Sequence, residues 1–286
     1  MKIAILCQEE PLFLGPFLQR VIRKRPEKIV ALFVAGHRTG GEKKKTWKQI
    51  WRSIKTYWYI FEPLFFFWAL YIKLRITILG KYDPRSVEGL ATIFNIPVHR
   101  VDDPNSEKFH DLLREVGADI VLNQTELLLK KETLEIPSVG FLNRHASLLP
   151  HFRGRLASFW AHAHEPPSHG ITIHFVDEGI DTGDIIVQHE FLDIDAQWDY
   201  GRVMDHMQKK APELFWRAVK LLEDDSFEPT VQPPNDDDAY KFPKLKDALA
   251  YHETMQVRRG EKKAKKEQAR DGVAPDGDDG NTPTKD

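Results

Sequence analysis

Short apolar runs that recur between amphipathic helical segments constrain this chain more than any other feature of its sequence. Residues 2–7, 28–35, 96–100, 119–123 and 140–143 each have the length and apolar character of a buried strand. Residues 16–25, 86–94 and 106–116 lie between them and read as helices. In the last of these Phe109, Leu112, Leu113 and Val116 fall on one helical face, and Gly117 ends the run. Strands alternating with short helices predict an α/β fold built on a mostly parallel sheet with right-handed crossovers. Such sheets hold ligands outside the carboxyl ends of their strands. Asn143 and His145 stand at one such end.

Further along, residues 170–176 and 184–192 are strand-like, joined by a Gly-rich acidic loop, and residues 156–164 and 202–223 read as helices. The layout predicts a catalytic domain over residues 1–200, a helical or irregular extension over 201–257, and a disordered tail over 258–286, where apolar residues give out. Within the extension, residues 239–255 are expected to dock on the main domain as a small appendage. Charge is balanced, with 41 Lys and Arg against 43 Asp and Glu, which gives no reason to expect strong nucleic-acid binding. Cys7 is the single cysteine, so neither an internal disulfide nor a multi-cysteine zinc cluster is available. It reads as a small buried hydrophobe. The first apolar run is too short for a signal-peptide core, and a cytoplasmic setting follows as the expectation.

One stretch, residues 40–80, stands apart as a basic and aromatic insertion opened by Gly40 and Gly41. Residues 57–71 are rich in Trp, Tyr and Phe, broken by Glu62 and Pro63, with Lys and Arg on both flanks. The apolar run after Pro63 falls well short of the about 20 residues that a membrane span needs. Two readings stand: a helical insertion that packs on the domain or on a second copy in a homodimer, and peripheral contact of residues 43–76 with the inner face of an anionic membrane.

The densest chemistry lies between residues 139 and 188. Asn143-Arg144-His145-Ala146-Ser147-Leu148-Leu149-Pro150 is followed by Gly154 and then by Asp177-Glu178-Gly179-Ile180-Asp181-Thr182-Gly183-Asp184. Two residues apart on extended backbone, Asn143 and His145 point the same way. An amide donates to a developing oxyanion, and an imidazole supplies charge or moves a proton. With no good nucleophile beside them, an Asn, His and Asp set suits group transfer between two bound substrates. Each of these residues also has an ordinary structural role, as a turn or a cap, and spacing alone leaves the reaction open.

This segment resembles the signature of the folate-dependent formyltransferases, most closely over residues 140–188 and more loosely over residues 1–200. The resemblance implies a Rossmann-like sheet with flanking helices and a short C-terminal appendage. It implies 10-formyltetrahydrofolate as co-substrate and a primary amine as acceptor, with no metal. Asn143, His145 and Asp181 fall on the family's catalytic residues. By that likeness Asn143 donates to the oxyanion, His145 stabilises it as a cation or assists proton transfer, and Asp181 orients His145 and takes the amine's proton directly or through water. The pterin is expected near Leu127 and Leu129 and along the loop of Gly179, Ile180 and Asp184. The chain departs from the family at Glu126-Leu127-Leu128-Leu129-Lys130, where relatives often carry a Gly-Arg-Ile-Leu-Pro-like run, and a buried helix is the competing reading of the three leucines.

The resemblance leaves the acceptor to local features. Enzymes of the family that act on a ribose phosphate carry a Gly/Ser-rich loop after the first strand, whereas this chain has Gln8-Glu9-Glu10 there, and two carboxylates repel phosphate. Those that act on methionyl-tRNA add a barrel domain, for which residues 201–257 leave little patterned sequence. A nucleotide-linked amino sugar remains the expected acceptor, with the region of Tyr240 and Phe242 shaping its pocket. A tRNA acceptor, another small amine, a formyl-folate hydrolase and a catalytically silent binding protein are the alternatives. His162 and His164 form an alternating pair with His169 and His174 nearby, and metal binding would require two more converging ligands.

Overall fold

In the computed structural model, residues 1–10, 12–36, 46–233 and 239–271 are described, without the side chains of 62–64, 66 and 261–271. Seven strands form one sheet: β1 (Ile3–Cys7), β2 (Ile29–Ala35), β3 (Val98–Val101), β4 (Ile120–Gln124), β5 (Gly140–His145), β6 (Gly170–Phe175) and β7 (Ile185–Glu190). The helices are α1 (Leu14–Lys24), α2 (Trp47–Leu79), α3 (Val87–Phe94), α4 (Glu107–Val116), α5 (Lys131–Leu134), α6 (Ala157–Ala163), α7 (Tyr200–Leu221) and α8 (Leu245–Asp271). Strand order is β3-β2-β1-β4-β5-β6-β7. The first five are mutually parallel, and β6 runs antiparallel to both neighbours. The mostly parallel α/β sheet expected from the sequence is the observed fold.

Both faces of the sheet are covered, which is why β1 and β4 are apolar at consecutive positions. Ile3, Ile5, Ile120 and Leu122 face one cluster with Phe17 of α1, Leu90 of α3 and Phe215 of α7. Ala4, Leu6 and Val121 face the other, with Phe109 and Leu113 of α4. Each fully buried Ile, Leu or Phe contributes roughly 1.5–3 kcal/mol. Local chemistry sets the helix ends. Ser86 and Ser106 accept the N–H of Gly89 and Phe109, and Gly117 closes α4 in the left-handed region at φ +60°.

Two expectations need correction, and two segments take definite form. The domain boundary at residue 200 does not follow the packing, because Val203, Met207, Leu214 and Phe215 of α7 belong to the main core. The tail expected to be disordered from residue 258 continues instead as helix to Asp271; residues 272–286 lie outside the described residues, as do Gly40 and Gly41. Leu127 to Leu129 form no helix and run as an irregular segment after β4. The aromatic insertion is one 33-residue helix. Its inner side, with Ile60 and Phe61, forms a satellite core with Phe159, Tyr200, Tyr251 and Met255, so α8 docks against α2, α6 and α7. Among the described residues no helix is long and apolar enough to cross a membrane.

Candidate active site

Where β5 ends, two side chains point one way. Alternation places Asn143 and His145 on the same side, and pairing with β6 sets His174 opposite Asn143. The third group comes from the loop between β6 and β7, where Asp181 occupies the left-handed region at φ +55°. Its Oδ2 lies 3.4 Å from His145 Nδ1, and its Oδ1 accepts from Asn143 Nδ2 at 3.3 Å. The structure thus brings together the three residues singled out from sequence, at the carboxyl end of the sheet.

Asp181 is held in place from several directions. Gly183 passes so close to β6 that a Cβ would stand 2.0 Å from the Phe175 carbonyl oxygen. Gln232 Nε2 donates to the carbonyls of Asp181 and Gly183, at 3.1 and 2.6 Å. The Gly154 N–H donates to Asp181 Oδ2 at 2.8 Å. Gly154 has φ +99°, and a Cβ there would lie 2.4 Å from the Tyr240 carbonyl oxygen. Tyr240 is the clamp on that loop: its N–H donates to the Arg153 carbonyl, and its carbonyl accepts the Arg155 N–H, both at 2.8 Å. The expected docking of the Tyr240 region therefore acts on the loop that touches Asp181.

The charge state follows from the partners. His145 is buried, with Nε2 facing the Phe152 carbonyl at 3.0 Å and Nδ1 facing the Asp181 carboxylate. Both partners only accept, so both ring nitrogens carry hydrogen and the ring is a cation. Burial alone lowers the pKa of His145; the charge and hydrogen bond of Asp181, aided by the Phe152 carbonyl, outweigh it and raise the pKa above the usual histidine value. Burial alone raises that of Asp181, yet His145 first and His174 second hold it well below the carboxylate range. His174 Nδ1 lies 2.7 Å from the Phe175 carbonyl. Its Nε2 lies 3.3 Å from Asn143 Nδ2 and 3.6 Å from Asp181 Oδ1. The two contacts of the Asn143 NH₂ group are long and correspondingly weak, which leaves it ready to turn to a stronger acceptor.

The polarity of the Asn143 amide is set from behind the site. Arg144 points to the opposite face, where its guanidinium covers the Phe17 ring at 4.4 Å and bonds Gln208 Oε1. Its Nε donates to Gln124 Oε1 at 3.0 Å. Because Arg only donates, the Gln124 oxygen faces it, and Gln124 Nε2 donates to Asn143 Oδ1 at 2.9 Å. The Asn143 NH₂ is thereby turned toward Asp181. Burial lowers the Arg144 pKa to about 10, with Glu10 opposing, so the side chain stays charged at neutral pH.

The residues expected around a pterin flank the same edge of the sheet. Leu129 is buried and Leu127 half-buried in the cluster that also receives Val176, just before the Asp181 loop. Asn105 fixes this segment by donating to the Leu128 carbonyl and accepting from the Lys130 N–H, at 2.9 and 2.7 Å. Gly179 donates its N–H to Asp177 Oδ1, Ile180 is exposed, and the Asp184 carbonyl accepts the Phe175 N–H. His162 and His169 pair with each other at 2.9 Å. Burial first lowers their pKa values to about 3 and about 4, so both are neutral. No group of three metal-ligating side chains occurs among the described residues. His174, Gln124, Gln208 and Gln232 were not legible as site residues, because strand register and long-range packing bring them there.

Residues 81–219 match the formyl transferase family. The methionyl-tRNA formyltransferase of Syntrophus aciditrophicus is 36% identical over 138 residues, 48% of this chain and 44% of that protein. That of Deinococcus radiodurans is 37% identical over 163 residues, 56% of this chain and 48% of that protein. The chain thus spans about half the length of these relatives. Among solved structures, phosphoribosylglycinamide formyltransferase from Bacillus halodurans aligns with a TM-score of 0.54 at 20% identity, covering 79% of this chain and 99% of that one. A sugar N-formyltransferase from a Shewanella species aligns with a TM-score of 0.51 at 15% identity, covering 88% of each. Both share the fold.

Proposed function

Through residues 81–219 the chain belongs to the formyl transferase family, and from that premise we propose that it moves a formyl group from 10-formyltetrahydrofolate to the amino group of a nucleotide-linked sugar. The convergence of Asn143, His145 and Asp181 carries this reading. The amine attacks the formyl carbon, and the Asn143 amide and cationic His145 donate to the oxyanion that develops. Asp181, ionised at rest, holds His145 in its charged form and takes the amine's proton directly or through one water. The intermediate then collapses: the bond from the formyl carbon to N10 breaks, and N10 leaves with the proton that the amine gave up, returned by Asp181 or the water. The leucines at 127 and 129 and the Gly179, Ile180 and Asp184 loop line the pterin side.

The end of β1 supports this choice of acceptor. Glu10 accepts the N–H groups of Leu12, Phe13 and Leu14 at 2.8–2.9 Å, so the chain's own carboxylate already fills the anion site at the start of α1. Glu9 Oε1 accepts the Val87 N–H. A ribose phosphate has no place there, which supports an acceptor recognised elsewhere, near Tyr240 and Phe242. Both small substrates are water-soluble, and the reading sets the reaction in the cytoplasm.

A second reading, formylation of an aminoacylated tRNA, draws on the names of the relatives. A panel of nucleotide-linked amino sugars and methionyl-tRNA, each incubated with 10-formyltetrahydrofolate and read by mass for one formyl in place of one hydrogen, separates the two. Formyl-folate turnover that is independent of any amine indicates a hydrolase instead, and no turnover indicates a binding protein. Asn143→Ala is expected to cost about 3 kcal/mol in the transition state, roughly a hundredfold in kcat; near-normal turnover by that variant overturns the mechanism.

A further inference from the structure

The exposed part of α2 is unlike the rest of the surface. Ile60, Phe61 and Ile72 are buried, while Trp47, Trp51, Phe67, Leu70, Leu74 and Ile78 are 57–76% exposed. Phe67, Leu70, Leu74 and Ile78 are three and four residues apart, so they form one continuous stripe. Single exposed apolar residues are ordinary, whereas a stripe along a helix marks a surface that is covered in use. Its charge is one-sided: Lys48, Arg52, Lys55 and Lys73 are exposed, and Glu62 is the one acidic residue in the sequence of the helix.

The charge decides between occupants. A second copy seated on this face would set the same cations against themselves. An anionic lipid surface takes the cations at its headgroups and the apolar stripe just below. Among the described residues no helix is long and apolar enough to cross a bilayer, and a basic, one-sidedly apolar helix suits the plane of the interface. We propose that α2 docks the protein on an anionic membrane through its exposed apolar stripe and flanking basic side chains. This proposal stands independently of the acceptor reading.

The test is flotation of the full chain with vesicles of phosphatidylglycerol and phosphatidylethanolamine, beside vesicles of phosphatidylcholine alone. Binding is expected to the anionic vesicles, to weaken with salt, and to fall roughly a hundredfold when Lys48, Arg52 and Lys55 are together changed to Glu. The pair Leu70→Glu and Leu74→Glu is expected to abolish it with the melting temperature unchanged, since both side chains already face solvent. Equal binding to neutral vesicles, binding to neither, or a dimer in solution that the Leu70 and Leu74 changes split would each overturn the proposal.

Discussion

His145 and Asp181 lie 3.4 Å apart, and their pKa shifts work in opposite directions. The stability that His145 adds is fully present below its unfolded pKa, near the ordinary 6.5, and is lost as pH rises through the raised folded value. The contribution of Asp181 is present above its unfolded pKa and is lost only in strong acid, as pH falls through the depressed folded value. Activity that needs cationic His145 therefore declines on the alkaline side. In Asp181→Asn the charge that raises His145 is gone while burial remains, so the His145 titration, followed by NMR, is expected to move to lower pH and the alkaline limb of kcat to move with it. An unmoved titration would mean that Asp181 does not charge the ring. Behind the pair, Gln124→Leu removes the donor that fixes the Asn143 amide. It is expected to lower kcat about tenfold with acceptor KM little changed, whereas Gln124→Glu gives Arg144 a carboxylate partner but cannot donate to Asn143 and does not rescue.

Two loops and a returning segment build the site from elements that are far apart in sequence. The order Asn143, His145, Gly154, Asp181 was readable as a motif, and the strand period predicted that the first two share a face. That Gly154 donates to Asp181, and that residues 232 and 240 hold both loops, follows only from the path of the chain after α7. Gly154→Ala forces a Cβ against the Tyr240 carbonyl at a positive φ. It is expected to cost about 1–3 kcal/mol and to depress kcat through the lost Asp181 contact, both measurable by thermal melting and steady-state kinetics. The run of leucines at 127–129 shows the limit of pattern reading. Three apolar residues in a row suit a helix as well as a loop, and Asn105, more than twenty residues away, decides for the loop by bonding its backbone.

At the scale of the whole molecule, the sheet and its two apolar faces are closed by α7, and α8 joins through a smaller core with α2. Arg258 is the polar pin of that junction. Buried to 7% exposure, it donates to the carbonyls of His162 and His164 at 2.9 Å each and pairs with Glu165 at 2.8 Å. Arg258→Ala leaves the buried His162 carbonyl unmet, at an expected cost of about 2–3 kcal/mol. The melting temperature should fall by roughly 5–10 °C, with kcat at low temperature preserved. In the sequence Arg258 marked the start of an expected disordered tail, because composition records the loss of apolar residues and not the buried carbonyls waiting for a donor.

By itself the sequence determined the sheet, because consecutive apolar positions in short runs can be buried only between two layers of helices. It also determined the pairing of Asn143 with His145, because the strand period is two. The tertiary structure decided what charges His145, which way the Asn143 amide faces, and where the end of the chain returns. Each of these depends on hydrogen-bond partners between about 20 and 100 residues apart, and local pattern holds no record of contacts at that separation.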